Sequence, residues 1–177
     1  MADSFSFDPD ALIARLVRFG HTLPAVVRCF LDTDVLWKPD ADSWSVLEIV
    51  CHLADEEHKD FPTRVFLTLE DPAQDWPEID PEGWAISRVY QSRVLKDELA
   101  RFVEARSANI ERLGALKNPN WSSTKQHPKF GPMVASDLLA AWCAHDALHL
   151  RQLSKRLYQL AHRDGGEDST TRYAGTW

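Results

Sequence analysis

Residues 136–161 read SDLLAAWCAHDALHLRQLSKRLYQLA. Leu138, Leu139, Trp142, His145, Leu148, His149, Leu153, Leu157 and Leu160 recur every three or four positions, which is the spacing of one helix face. Ser136 stands where it can cap the first turn. A helix this long with one apolar stripe has to bury that stripe against partners, so the search moves outward for other helices. In residues 45–69, Ser45 and Glu48 form an S-x-x-E capping box, with Trp44 and Ile49 at the flanking staple positions. The helix predicted from Ser45 continues through Val46, Leu47, Ile49, Val50, Leu53 and Ala54, and Pro62 should interrupt it before Val65, Phe66, Leu67 and Leu69.

Two further helical stretches complete the set. Leu12, Ile13, Leu16, Val17 and Phe19 describe a stripe that Gly20 is expected to stop, with Thr22 capping a second piece carrying Val26, Val27, Phe30 and Leu31. From about Ser87 to Leu116, Val89, Leu95, Leu99, Phe102, Val103, Ile110, Leu113 and Leu116 keep helical spacing. The segments 32–42, 70–83 and 118–132 gather Pro, Gly, Asn and Asp without a period and read as loops. No run alternates polar and apolar residues with β-branched enrichment, so no strand is predicted. Four amphipathic helices define an all-α four-helix bundle, expected over residues 1–162, with a polar, flexible tail over 163–177.

Composition narrows the function classes. The 177 residues are 44% hydrophobic and 27% charged, the balance of one globular domain, and carry a formal charge of −7. That charge disfavours nucleic-acid and anionic membrane partners. No apolar export segment or membrane span is read, and three cysteines without C-x-x-C spacing fit neither a disulfide framework nor a zinc ribbon, so a cytoplasmic protein is expected.

The chemistry lies in the histidines. His145 and His149, four apart on a helix, lie about 40° apart on the wheel with Cβ atoms roughly 5–6 Å apart, close enough to share one ion. Both sit on the apolar stripe and should point inward. His52 does the same in the row of Glu48, Ile49, Asp55, Glu56 and Lys59. Three neutral imidazoles from two helices are donors that Zn²⁺, Ni²⁺ or Fe²⁺ accept, with positions left for water or substrate. Taken singly, each histidine reads more readily as a hydrogen-bonded core or rim residue than as a ligand. Cys51 and Cys143 fall about 100° and 200° off the ligand faces and read as small buried apolar groups.

These residues carry a resemblance. The string SWSVLEIVCHLADE over residues 43–56 resembles the second-helix signature of the DinB superfamily, and AHDALHLRQL over 144–153 is similar to its fourth-helix signature. The order of the two covers about residues 10–160. The resemblance implies a DinB/YfiT-like four-helix bundle, often a homodimer, with His52, His145 and His149 as ligands of a divalent metal. It also implies either thiol-dependent S-transferase or isomerase chemistry with a low-molecular-weight thiol, or metal-dependent hydrolysis of a small-molecule substrate.

A three-His site with an open position makes water or a thiol nucleophilic near neutral pH and polarises a carbonyl. Asp55 and Glu56, three and four residues past His52, are candidates for a hydrogen bond to a ligand ring, an extra ligand or a general base, against the plainer reading of a solvated charged helix end. The favoured expectation is a metal-dependent transferase or hydrolase. The competing one is a non-catalytic metal-binding or stress-associated interaction protein.

Overall fold

The capping box at Ser45 forms as its sequence dictates: the Ser45 hydroxyl accepts from the Glu48 amide at 3.2 Å while Glu48 accepts from the Ser45 amide at 2.7 Å. The helix it starts, α2 (Val46–Lys59), is followed after Asp60 by α3 (Phe61–Glu70), whose first turn holds Pro62, so the proline does interrupt the run. A computed structural model of the chain describes residues 6–127, 129–166 and 171–177. The other helices are α1 (Pro9–Val27), α4 (Pro81–Ser87), α5 (Leu95–Ala115) and α6 (Ala135–Gly165). Helices α1, α2, α5 and α6 make the bundle. Helix α5 packs between α1 and α2, α6 packs on α1 and α2, and α3 extends the wall of α2 along α6. No helix among the described residues is long and apolar enough to cross a membrane.

Four expectations are corrected, each by a tertiary contact. First, α1 does not break at Gly20. Leu16, Phe19, Leu23 and Val27 form one continuous buried stripe, and Thr22, rather than capping, donates its hydroxyl back to the Arg18 carbonyl at 2.8 Å. Gly20 serves close approach: a Cβ there would lie 3.2 Å from Cγ of Arg106. Second, the long helix predicted from Ser87 is split. Val89 takes a left-handed conformation, φ 51°, unusual for a β-branched residue, and α5 begins only at Leu95. The break turns Arg88 and Tyr90 inward to Asp55, so the local cost is offset by a buried polar contact.

Third, residues 118–132 are not all loop. Strands β1 (Thr124–His127) and β2 (Gly131–Val134) pair antiparallel, Thr124 opposite Val134 and His127 opposite Gly131. The strand TKQH lacks an alternating pattern because what holds it is Lys125, whose ammonium donates to the carbonyls of Ala73 and Gln74 and pairs with Asp75. Fourth, Ser136 does not cap α6. The helix starts one residue earlier from β2, and loop carbonyls satisfy its first amides: Ala135 donates to Ser123 and Ser136 to Trp121. At the other end α6 runs to Gly165, so residues 163–165 of the expected tail are helical, and residues 167–170 of that tail lie outside the described residues.

Of three apolar clusters, one gathers around Leu23, Ile49, Leu53 and Phe102, a second around Leu16, Phe66, Leu138 and Trp142, and a smaller third, around Leu47, Cys51, Trp84 and Tyr90, packs α4 and the turn after it on α2. Arg106 of α5 lies between the first two, only 1% exposed. Its guanidinium donates to both oxygens of Asp146 on α6 (2.8 and 2.9 Å), to Glu57 on α2 (2.6 Å) and to the Leu16 carbonyl on α1 (3.1 Å). Trp142 and Asn109 complete the hydrogen bonding of Glu57. One fork therefore ties all four helices, and its carboxylates cannot be left behind without cost. Arg106→Met should destabilise the protein by about 3–5 kcal/mol in urea titration, and unchanged stability would show that the ion cluster does not hold the bundle.

Candidate metal centre

Three imidazole nitrogens meet between α2 and α6. His145 Nε2 lies 3.2 Å from His52 Nε2 and 3.0 Å from His149 Nε2, and one nitrogen from each ring falls within 4.8 Å of the others. The four-residue step on α6 brings its two rings together, and the packing of α6 on α2 adds the third. Glu57 and Asp146 hold both helices in rotation: Glu57 lies five residues past His52 and Asp146 directly follows His145, and Arg106 clasps both carboxylates. With the carboxylates turned inward to α5, the imidazoles are left facing one another.

The surroundings keep these rings neutral. Burial lowers His52 to about 3 and His145 to about 2, with repulsion from the neighbouring rings adding to it. His149 is also lowered by burial, opposed by its bond to Gln152. The His149 Nδ1–H points at Gln152 Oε1, 2.9 Å away, which leaves the Nε2 lone pair of that ring facing the other two. Trp44 covers the cluster, its ring 4.8 Å from His52 and nearly parallel to His149 at 6.5 Å, and Phe61 stands 4.8 Å from His145.

This arrangement suits a cation. One proton on His145 Nε2 can bridge to only one of its two neighbours, so hydrogen bonding alone leaves lone pairs crowded at about 3 Å. Bonds of about 2.0–2.1 Å to a shared ion set nitrogens about 2.9 Å apart at right angles and about 3.4 Å apart in a tetrahedron. The observed 3.0 and 3.2 Å lie inside that range. Among the described residues no further His, Cys or carboxylate joins the three. His149 also lines a cavity of about 590 Å³, with Trp44, Glu82, Gln152 and Arg156 around it.

The two carboxylates singled out beside His52 separate. Glu56 Oε1 is 3.7 Å from His52 Nδ1, behind the ring, and neither atom has a hydrogen-bond partner among the described residues. Burial and the neighbouring Asp60 push the pKa of Glu56 up to about 9. Asp55 turns to the opposite side, where Tyr90, Arg88 and Arg101 surround it. Burial would raise its pKa, but these partners outweigh it and the net shift is downward. The thiols of Cys51 and Cys143 are pushed up to about 12 and about 11 by burial, which makes both poor nucleophiles. His58 is exposed and bonds only the Ala54 carbonyl. Trp84 is buried under the Arg88 guanidinium, and Trp121 packs on Phe7, both apart from the imidazoles.

Sequence reading missed Arg106, Glu57 and Arg156. The signal for Arg106 was present: it falls four residues after Phe102 and seven before Leu113, a charge on an apolar stripe. Glu57 was hidden in the run DEEHK, where one acidic residue looks like the next.

Residues 15–153 match the DinB superfamily, and the chain belongs to that superfamily. It is similar in fold to YfiT from Bacillus subtilis, described as a probable metal-dependent hydrolase with an unusual four-helix bundle topology, at a TM-score of 0.77 and 19% identity over 93% of each chain. No curated protein matches the chain.

Because the folded-state pKa of Asp55 is depressed, its contribution to stability is present above the unfolded value of about 3.9 and lost as pH falls through the folded one. Asp55→Asn should therefore destabilise by roughly 1.5–3 kcal/mol at pH 7, with the difference closing below about pH 4. Urea titrations at pH 7 and pH 3 check this, and a deficit as large at pH 3 as at pH 7 contradicts it.

Proposed function

We propose that the chain is a metal-dependent enzyme whose His52, His145 and His149 hold one divalent cation, Zn²⁺, Ni²⁺ or Fe²⁺, beside a small-molecule pocket. The observation that carries this is the convergence of three neutral Nε2 atoms, that of His145 at 3.2 and 3.0 Å from those of His52 and His149, with His149 also lining an open cavity. A bound divalent ion supplies Lewis acidity there, acidifying water or a thiol and polarising a substrate oxygen. A hydrolase or a transferase that uses a low-molecular-weight thiol fits this chemistry. A purely structural site would be closed by a fourth protein ligand, so three donors with no fourth among the described residues favour catalysis over a passive metal-binding role.

The chain's own residues prepare the site. Gln152 fixes the tautomer of His149, so that ring needs no reorientation to donate its lone pair. Trp44 and Phe61 shield the nitrogens from bulk water on two sides. Glu56 Oε1, 3.7 Å behind His52 Nδ1, is placed to accept the Nδ1 proton, the tautomer that leaves Nε2 as the donating atom. Its distance from the open side makes it a positioning residue. Asp55 acts further out, holding α5 and the turn after α4 against α2.

Metal-stripped protein should bind about one equivalent of Zn²⁺ or Ni²⁺ per chain in equilibrium dialysis, and His145→Ala should weaken binding at least 100-fold. Binding well below one equivalent, or binding indifferent to His145, overturns the proposal. Gln152→Leu should weaken metal affinity about 10–100-fold while leaving the unfolding midpoint of metal-free protein nearly unchanged. Substrate screens with and without a low-molecular-weight thiol then separate the two chemistries, since a transferase loses turnover when the thiol is omitted and a hydrolase does not.

A further inference from the structure

Among the described residues, one buried cation has no ion pair. Arg156 of α6 is 4% exposed, yet no carboxylate among the described residues forms a salt bridge with it. Its Nε donates to the Trp44 carbonyl at 2.8 Å and its Nη1 to Gln159, and Nη2 has no partner among the described residues. A buried guanidinium is ordinarily matched by an anion, as Arg106 is in this protein. Burial pulls the pKa of Arg156 below the usual arginine value, opposed by the charges of Asp40 and Glu48.

Its position gives that cation a use. Arg156 lines the cavity of about 590 Å³ that reaches His149, and a second of about 670 Å³ that also reaches His149. Along α6, His149, Gln152 and Arg156 follow one face, and seven residues separate the outer two by about 10 Å along the axis. The Trp44 backbone that Arg156 binds belongs to the residue whose ring covers His149. In the larger cavity Arg151 and Lys155 add two exposed cations against one carboxylate, Asp40, although the chain as a whole carries −7. The smaller one is lined by Asp42 and Glu82 and offers no such excess.

We propose that the Arg156 guanidinium, with Arg151 and Lys155 at the rim, is the binding site for an anionic group, carboxylate or phosphate, of a small molecule whose reacting atoms lie at the histidine cluster. This deepens the reading of that cluster as a metal centre and rests on it for the second half of the statement. Recognition by the fork makes the site selective for planar or tetrahedral oxyanions over neutral analogues. The separation along the helix sets the substrate as one with its charge several bonds from the reacting centre.

Calorimetric titration of EDTA-stripped protein with inorganic phosphate, with succinate and with succinamide tests this without a metal or a known substrate. At least one of the two anions should bind in the millimolar range, succinamide should not, and which anion binds decides between phosphate and carboxylate. Arg156→Gln should weaken binding at least tenfold. Because that variant removes a buried side chain, Arg151→Gln/Lys155→Gln, confined to exposed positions, should weaken it several-fold in a protein of unchanged melting temperature. Failure of both anions to bind, equal binding of succinamide, or binding indifferent to all of these substitutions overturns the proposal. Metal affinity measured on the same double variant should be unchanged. Loss of metal binding in His145→Ala with anion binding retained leaves this site standing, and anion binding to a chain that takes up no metal counts against the metal centre alone.

Discussion

The guanidinium of Arg106 is the constraint on which the bundle turns. It is buried between two apolar clusters and reaches a backbone carbonyl on α1, a carboxylate on α2 and a second carboxylate on α6 from its own position on α5. Apolar packing alone tolerates sliding and rotation of helices, since one leucine face resembles another. A planar fork with fixed donor directions does not. The faces of Phe102, Trp142 and Phe19 lie about 5.0–5.5 Å from its central carbon, so the charge is also held by ring quadrupoles. Burial pushes Asp146 up to about 6 against the pull of Arg106, the sign of a cluster with two carboxylates for one cation.

The histidine cluster inherits its geometry from that clasp. On a helix the step from His52 to Glu57 is about 140° around the axis and that from His145 to Asp146 about 100°. Turning the two acids toward α5 thus turns the imidazoles toward the seam between α2 and α6. Rigid helices carry all three donor rings, which is the condition for holding donor atoms to a fraction of an ångström. The cover over them, by contrast, comes from Trp44 just ahead of the α2 capping box and from the start of α3. The asymmetry suits a site that must be firm toward the ion and open toward a substrate.

The helices and the histidines were legible in the sequence because both depend on local spacing. A capping box, an apolar stripe and two histidines four apart each declare themselves within a few residues, and the DinB resemblance joined His52 to His145 and His149. The misreadings share the opposite cause. Gly20 looks like a helix stop until Arg106 is seen to pass beside it. Val89 looks like one more apolar helical position until Tyr90 and Arg88 are seen reaching Asp55. The hairpin at 124–134 is held by Lys125 and carbonyls some fifty residues away, which no window on TKQH reveals. Glu56 and Asp55, adjacent in the chain, part company because neighbouring positions on a helix face directions about 100° apart.

The central claim is that the three Nε2 atoms converge to share one ion. X-ray absorption on protein loaded with one equivalent of Zn²⁺ tests it most directly. The account predicts three imidazole nitrogens at about 2.0–2.1 Å with the remaining positions filled by light, non-protein atoms. A sulfur shell at about 2.3 Å, or fewer than three imidazoles around the ion, would contradict it.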